Sequence, residues 1–318
     1  MSEVIGLIGG ASGRELVEQI RKQGYKVALV EGSNTEPGVE CADYVFVSDL
    51  HDTEQIGSFF DGHNVRNLII GTGHRFAFEL GEELERTGIT LNVNIAASET
   101  AKEKKVFKDL LVKKGFRTPA YVSIEDKNSI PAMEEIVDTT GLPCVVKATV
   151  DTMLPQKASS VDVLKEEIID VLDSGSPAVI EQFIKGIDIT VFVSAANGKA
   201  EALPICYYSK AEENNMRGFS KEEYMKNKLS PDAEKEIMRY CEEIVLACGF
   251  EGLPRIDLMV MPEGDIYVLE ANSVGVTGVN ERHAAYCKGT VLYLRTLGID
   301  VAEILVKNAL SKFQLTAK

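Results

Sequence analysis

The segment 255-RIDLMVMPEGDIYVLEAN-272 contains two apolar stretches separated by a short turn. Glycine favours the backbone conformation that tight hairpin turns require, so Glu263-Gly264 is the predicted two-residue turn. In that register Asp257 faces Glu270. Arg255 likewise faces Asn272. Side chains on a strand alternate between two faces, and opposed Cβ atoms lie about 4.5–5.5 Å apart. We therefore expect the four polar side chains on one face, with a cation between the two carboxylates, unless a β-bulge shifts the register by one residue.

Composition places the chain among ordinary globular proteins. It has 318 residues, of which 45% are hydrophobic and 26% charged, enough for two or three domains with their own cores. The formal net charge of −15 argues against a nucleic-acid partner, which would be held mainly through phosphate contacts. No apolar run reaches the length of a membrane span, and the start MSEVIGLIGG does not have the features of a signal peptide. We therefore expect a cytoplasmic protein with no membrane partner.

Cysteine and histidine show no pattern typical of a metal site or a nucleophile. The six cysteines are scattered without a C-x-x-C pair, and the four histidines lack the spacing of zinc ligands. Several cysteines stand in apolar stretches such as LPCVVK. The sequence therefore predicts reduced, buried thiols. No arrangement of Ser, Cys or His indicates a covalent mechanism.

Alternating strand and helix signals predict three domains. Residues 1–95 carry the pattern of a parallel α/β sheet with helical crossovers. Residues 96–183 begin with one amphipathic helix that ends at Gly115 and continue as a small α+β unit. Residues 184–318 contain two strands, a polar stretch at 209–231, a long helix, the hairpin and a final helix. The polar stretch exceeds the usual loop length, which predicts an active-site loop or local disorder.

The glycine-rich start GLIGGASGRE leaves two interpretations open. Glu31 ends the second strand eighteen residues after Gly13, in the manner of dinucleotide-binding folds. The spacing is G-G-x-x-G, however, so the strict G-x-G-x-x-G fingerprint is not met. The glycines either close a tight strand-to-helix turn or let backbone N–H groups bind an anion. An NAD-dependent dehydrogenase is therefore the weakest functional hypothesis.

Three lysines stand where a nucleotide phosphate would explain them. Lys147 ends the apolar strand LPCVVK, where a lysine is rarely buried without an anion, although its stem could also reach solvent. Lys105 lies in the charge run AKEKKVFK and Lys157 in a polar loop, and each alone is equally typical of a solvated surface. The segment 178-AVIEQFIKGID-188 reads as a buried strand that runs past Glu181 to Asp188. An ordinary strand and bend would give the same pattern.

The order of these segments resembles the ATP-grasp superfamily, whose members are mostly carboxylate–amine ligases that release ADP. The segments are Lys105, Lys147, VIEQFIKGID, RIDLMV and YVLEANSVGVTG. The C-terminal half is similar to D-alanine–D-alanine ligases, whose matching motifs read G-R-I-D and L-E-x-N-x-x-P-G-M-T. The resemblance implies an α/β (α+β) fold with a pre-ATP-grasp domain at 1–95, a linking helix and central lid subdomain at 96–183 and a catalytic domain at 184–318. Many members form dimers through the N-terminal domain, so a homodimer stays open.

The resemblance also implies roles for individual residues. Asp257, Glu270 and Asn272 match the ligands of two magnesium ions that bridge the phosphates of ATP, and all-oxygen ligation suits Mg²⁺. Arg255 matches the arginine that steadies the acyl phosphate and the tetrahedral intermediate. The residues that match the nucleotide site are the phosphate lysines Lys105 and Lys147, the lid residue Lys157, the adenine-binding strand end Glu181, Gln182, Phe183 and Ile184, and the ribose-binding Asp188.

Departures from the family pattern affect the substrate prediction. The lid segment has no glycine between Gly141 and Gly175, although a glycine-rich loop usually covers the phosphates. Gly278 stands where the D-alanine enzymes carry a substrate-binding serine, and the shortened N-terminal motif leaves Glu15 without an assigned amine-binding role. We expect an ATP-dependent ligase of a small carboxylate and an amine, with an acid other than D-alanine. The alternative is a nucleotide-binding sensor or partner subunit that has lost ligase activity.

Overall fold

The computed structural model describes residues 3–149, 153–210, 217–218, 229–279 and 285–314. These residues form two compact units. The first is formed from residues up to 99, residues 189–256 and residues from 272 onward, and the second from residues 100–188 and 257–271. The division of the chain into three domains at residues 95 and 183 stays a prediction.

The first unit contains a parallel sheet. Its strands are β1 (Val4–Ile8), β2 (Lys26–Glu31), β3 (Tyr44–Val47), β4 (Asn67–Ile70) and β5 (Thr90–Leu91). The helices in this part of the chain are α1 (Gly13–Lys22), α2 (Thr53–Gly62), α3 (Arg75–Arg86) and α4 (Ile95–Lys102). The strand order is β3-β2-β1-β4-β5, and every neighbouring pair is parallel. The predicted α/β sheet with helical crossovers is confirmed.

The second unit contains an antiparallel sheet. Its strands are β6 (Tyr121–Ile124), β7 (Cys144–Ala148), β8 (Gln156–Ala158) and β9 (Ala178–Gln182), and the helices are α5 (Lys104–Lys114), α6 (Met133–Thr140) and α7 (Val161–Asp173). The strand order is β6-β9-β7-β8. The prediction of one helix ending at Gly115 was wrong in one respect. Glu103 separates α4 from α5, and only α5 ends at Gly115.

The remaining elements belong to the last 132 residues of the chain and include the predicted hairpin. They are β10 (Ile187–Ala196), β11 (Lys199–Ala202), β12 (Cys206–Tyr207), β13 (Ser209–Lys210), β14 (Arg217–Gly218), α8 (Pro231–Cys248), β15 (Arg255–Val260), β16 (Ile266–Asn272), α9 (Ala285–Thr296) and α10 (Val301–Lys312). One sheet has the order β11-β10-β15-β16, with β12 paired to β10, and β13 pairs with β14. Residues 211–216 and 219–228 of the predicted active-site loop lie outside the described residues, as do residues 150–152 of the lid segment.

Strand alternation determines where the hydrophobic cores lie. Ile5 and Leu7 of β1 pack on one face of the parallel sheet with α1 and α10, and Ile8 packs on the other face with α2 and α3. In the second unit, Val146 and Ile180 belong to a core formed with α6 and α7. Each such side chain contributes about 1.5–3 kcal/mol when it is fully buried. Because this core takes one face of the antiparallel sheet, the other face is left for polar side chains.

The turn between β15 and β16 differs from the predicted two-residue connection. The N–H of Gly264 donates to the carbonyl of Met261, and the N–H of Met261 donates to the carbonyl of Asp265, both at 2.9 Å. Pro262 and Glu263 are therefore the central residues of the turn, and Gly264, with φ of 95°, follows in the left-handed region. The hairpin is confirmed, but the predicted register at the turn was wrong by one residue.

Two predictions from composition can be compared with the structure. All six cysteines are free thiols, and four of them are buried, as predicted. Among the described residues, no helix is both long enough and apolar enough to cross a membrane.

Replacing Gly264 with alanine tests the backbone conformation of the turn. A Cβ at this position would meet no atom within 4 Å, so any loss of stability would come from the left-handed backbone alone. We expect G264A to lower the free energy of unfolding by about 1–2 kcal/mol, and G264N by less, because Asn tolerates this conformation. E263A in the same turn is the control and should change the free energy of unfolding by less than about 0.5 kcal/mol. Urea unfolding measures this free energy for all three variants. A G264A variant as stable as the wild type would contradict the described turn.

Candidate functional site

The polar face of the antiparallel sheet brings together three of the eight predicted nucleotide residues. Glu181 on β9 lies between Tyr121 of β6 and Val145 of β7, and Val145 in turn pairs with Lys157 of β8. Lys147 lies two residues after Val145, so the period of two places its side chain on this same face. The opposite face carries the buried core of this unit. The sheet thus brings Lys147, Lys157 and Glu181 to one surface.

A buried ion cluster lies at the centre of this face. The Glu181 carboxylate is 2.9 Å from Nζ of Lys147 and 3.2 Å from Nζ of Lys108 on α5. Lys108 also donates to Oγ1 of Thr118 at 2.8 Å, and its ammonium lies 5.5 Å from the centre of the Tyr121 ring. The side chains of Lys108 and Glu181 are 1% and 3% exposed, whereas that of Lys147 is 12% exposed. Of the two lysine side chains, that of Lys147 is therefore the more exposed.

Charge interactions keep Glu181 ionised despite its burial. Burial alone would raise the pKa of Glu181, but the attraction of Lys108 and Lys147 outweighs it and holds the pKa below its usual value. Burial lowers the pKa of Lys108, and Lys147 lowers it further, while Glu181 and Glu270 act in the opposite direction. Two ammonium groups therefore lie against one buried carboxylate on this face.

Lys105 lies apart from this cluster. Its side chain is exposed and donates to Asp109 at 2.7 Å, and the hydroxyl of Tyr121 donates to the same carboxylate. The predicted phosphate role of Lys105 therefore stays a prediction without support from the cluster. Sequence reasoning did not single out Lys108, although it lies beside the buried residues of α5. Its i, i+3 relation to Leu111 was the available signal, because residues three apart share one side of a helix.

The strand end after Glu181 has the mixed exposure that a ligand-binding edge requires. Gln182 is exposed and its N–H donates to the carbonyl of Ala120 at 2.8 Å. Phe183 is half-buried, with Nζ of Lys157 4.1 Å from its ring centre, and Ile184 is buried. Asp188, farther along, is half-buried. A positive lid residue and an apolar ring therefore meet beside the strand end.

The late hairpin supplies the predicted metal residues. Asp257 is fully buried and Glu270 is half-buried, and both belong to the second unit. We predicted that these two residues face each other because we assumed a two-residue turn. The observed turn does not impose that register. Carboxylate and amide oxygens are ligands that Mg²⁺ accepts, so the chemistry of this donor set fits the ion. Within the described residues, no group of three or more His, Cys, Asp or Glu side chains is arranged to hold a metal.

Two further hairpin residues belong to the first unit. Arg255 is 5% exposed, and its Nη1 donates to Sγ of Cys287 at 3.5 Å. Asn272 is half-buried. The roles that the resemblance implies for Arg255 and Asn272 stay predictions.

The glycine-rich turn of the first unit is filled by a carboxylate. A Cβ on Gly9 would lie 2.5 Å from Oε1 of Glu31 and 2.9 Å from Cα of Gly13, and a Cβ on Gly13 would lie 3.0 Å from the same oxygen. Glu31 is buried, and Glu15 adds a second carboxylate in the first turn of α1. Two negative charges disfavour an anionic ligand at this helix start. The geometry therefore favours the tight-turn interpretation.

The segment after β16 contacts the same turn. Oε1 of Glu15 accepts the N–H of Val279 at 3.2 Å, and Oγ of Ser12 accepts the N–H of Thr277 at 3.4 Å. A Cβ on Gly278 would lie 2.8 Å from the carboxyl carbon of Glu15. A serine at position 278 would therefore require Glu15 to move, which accounts for the glycine at this position.

Comparison with known proteins gives a consistent family. Residues 110–281, more than half of the chain, match the family model described as D-ala D-ala ligase C-terminus. A D-alanine–D-alanine ligase of Carboxydothermus hydrogenoformans is 28% identical over 205 residues. That alignment covers 58% of this chain and 63% of the relative, so this chain spans less than two thirds of the relative's length.

Two solved structures have the same fold at low sequence identity. The N5-carboxyaminoimidazole synthase of Aspergillus clavatus, in complex with ADP and 5-aminoimidazole ribonucleotide, superimposes with a TM-score of 0.76 at 14% identity, covering 98% of this chain and 77% of that one. The D-alanine–D-alanine ligase of Bacillus anthracis, complexed with ATP, has a TM-score of 0.70 at 17% identity and covers 98% of both chains. The fold is therefore the ATP-grasp fold.

Substitution of Gly9 tests the tight-turn interpretation. G9A places a methyl group against the Gly13 backbone and the Glu31 carboxylate, so we expect it to lower the free energy of unfolding by about 1–3 kcal/mol. G32A is the matched control, because a Cβ at Gly32 would meet no atom within 4 Å, and its effect should stay below about 0.5 kcal/mol. Urea unfolding measures the free energy of unfolding of both variants. Equal stabilities for G9A and G32A would be inconsistent with this close packing.

Proposed function

We propose that this chain, which belongs to the D-ala D-ala ligase C-terminus family and has the ATP-grasp fold, joins a small carboxylate to an amine through an acyl phosphate. In the first step a carboxylate oxygen of the acid bonds to the γ-phosphorus of ATP, and ADP leaves. In the second step the amine attacks the acyl carbon, phosphate leaves, and the amine loses a proton. The products are an amide, ADP and phosphate.

The observation that carries this proposal is the buried cluster of Lys147, Glu181 and Lys108. It places two lysines against one buried carboxylate on the polar face of a chain whose net charge is −15. Since Lys147 is the member of the cluster with an exposed part, it is the residue we assign to the nucleotide phosphates. Lys157, which is exposed on the same face, would add a second positive charge.

The strand end beyond Glu181 is the proposed adenine site. Residues 182–184 would offer backbone hydrogen-bonding groups to the base edge, and the Phe183 ring would offer an apolar surface. Asp188 would accept hydrogen bonds from the ribose hydroxyl groups. These assignments follow the resemblance. They agree with the structure in that all of these residues belong to the same unit as Lys147.

The resemblance assigns the remaining roles to residues of the hairpin. Asp257, Glu270 and Asn272 would hold Mg²⁺, which neutralises phosphate charge when bound. Arg255 would stabilise the negative oxygens of the acyl phosphate and the tetrahedral intermediate, since a guanidinium can donate to two oxygens at once. Most of the rate enhancement would then come from positioning and charge stabilisation.

A second candidate is a nucleotide-binding sensor that has lost ligase activity. It is favoured by the lid segment, which contains no glycine between Gly141 and Gly175 and so cannot form a flexible glycine turn over the phosphates. Thermal stabilisation by MgATP, with no turnover of any acid and amine pair and no cellular effect of D257N, would support this candidate.

Phosphate release tests the ligase function directly. The protein is incubated with ATP, Mg²⁺ and a panel of amino acids and small acids, and free phosphate and the adenine nucleotide products are measured. We expect ADP and phosphate in equal amounts, and only in the presence of a matching acid and amine. Formation of AMP and pyrophosphate would exclude the acyl-phosphate mechanism.

Replacement of Lys147 tests its assignment to the phosphates. We expect K147M to raise the Kd for MgATP by at least about tenfold, because a charge-assisted contact to phosphate is lost. K113M is the control, since Lys113 is an exposed lysine of α5 outside the cluster. Isothermal titration calorimetry measures the Kd for MgATP of both variants. Wild-type affinity in K147M would remove Lys147 from the phosphate site.

A further inference from the structure

Lys157 and Phe183 meet at the strand end that we assign to the base. Nζ of Lys157 lies 4.1 Å from the centre of the Phe183 ring, which is the distance of a cation–π contact. Lys157 is exposed and Phe183 is half-buried, so this contact is accessible from solvent. The ammonium therefore covers a ring face that a planar ligand could also use.

The register of the sheet separates Lys157 from Lys147. Lys157 pairs with Val145, and Val145 pairs with Glu181, so these residues form one row across β8, β7 and β9. Lys147 pairs with Val179, and that row lies two residues farther from the end of β9. The two ammonium groups also have different neighbours, since that of Lys147 lies 2.9 Å from the Glu181 carboxylate. Lys157 is therefore the lysine that lies nearer to the strand end.

A base stacked on Phe183 would need the space that the ammonium occupies. Carbon atoms of stacked rings approach to about 3.5–4.0 Å. This is close to the 4.1 Å between the ammonium and the ring centre, so the two cannot contact the same ring face at the same time. The lysine stem is long and flexible, however, and the ammonium can move outward by the thickness of one ring. It would then lie over the outer face of the base.

We propose that Lys157 binds the base of the nucleotide: its ammonium gives up the Phe183 ring to a purine and then holds the outer face of that purine. This inference rests on the proposed adenine site and defines the part of the nucleotide on which the charge of Lys157 acts. Every base has a π face that a cation can contact. The base would thus be held between an aromatic ring and an ammonium.

The test uses two ligands that each share one part with ATP. Adenosine has the base and the ribose without phosphates, and tripolyphosphate with Mg²⁺ has the phosphate chain without the base. The Kd of each ligand is measured by competition with MgADP. The variants are K157M, K157R, F183L and the control K165M, which changes an exposed lysine of α7 in the same unit.

We expect K157M to raise the Kd of adenosine by about fivefold, because a cation–π contact that excludes water is stronger than the exposed contact that it replaces. The Kd of tripolyphosphate should stay within about twofold of the wild-type value, since the phosphates do not share this contact. K157R keeps the charge and should retain the affinity for adenosine. F183L removes the ring and should weaken adenosine alone, and K165M should change neither Kd.

The outcomes separate this inference from the proposed function. Wild-type protein that binds neither MgADP nor tripolyphosphate overturns both. Where the wild type binds MgADP, an unchanged Kd of adenosine in K157M overturns this inference alone. A Kd of tripolyphosphate that rises as much as that of adenosine, or more, also overturns it, because the contact would then not be limited to the base. Should K157M fail to fold, K157Q is a second uncharged variant to which the same criteria apply.

Discussion

The Glu181 carboxylate, held between two lysines in the middle of a sheet, is the interaction on which the candidate site depends. Glu181 lies on β9, which has β6 on one side and β7 on the other. An ionised carboxylate in this position needs positive charge beside it, which Lys147 of β7 and Lys108 of α5 supply. The ion cluster therefore ties the helix and two strands to each other and sets the net charge of the face that a nucleotide would contact.

Several parts of the fold and site could be predicted from sequence because they depend on local patterns. The apolar strand before Lys147 and the buried strand before Glu181 have period-two neighbours that fix which face each residue lies on. Lys108 could not be found in this way, because its neighbours in AKEKKVFK are mostly charged and its partners are distant in sequence. The break between α4 and α5 at Glu103 was also missed, since that segment retains good helix-forming residues on both sides.

The hairpin shows how a single turn residue limits such predictions. Its two strands were evident from composition, and glycine correctly marked the turn, but Gly264 occupies the position after the two central residues and not one of them. Both turn types use glycine at almost the same place, and they differ by one residue in the register that they impose. Which side chains face one another across the hairpin is therefore the least predictable feature from sequence. It is also the feature that the predicted metal site requires.

The distribution of charge explains how an acidic protein can hold a polyanion. The turn after β1 concentrates negative charge, with Glu31 buried against Gly9 and Glu15 bound to the backbone of Val279. Lys108, Lys147 and Lys157 instead lie on or beneath the polar face of the second unit. An anion approaching a chain with a net charge of −15 gains little from its overall field, so binding must come from short-range contacts in a dry environment, where each charge acts most strongly. Burial of Lys108 and Glu181 beside the partly exposed Lys147 provides that environment on this face.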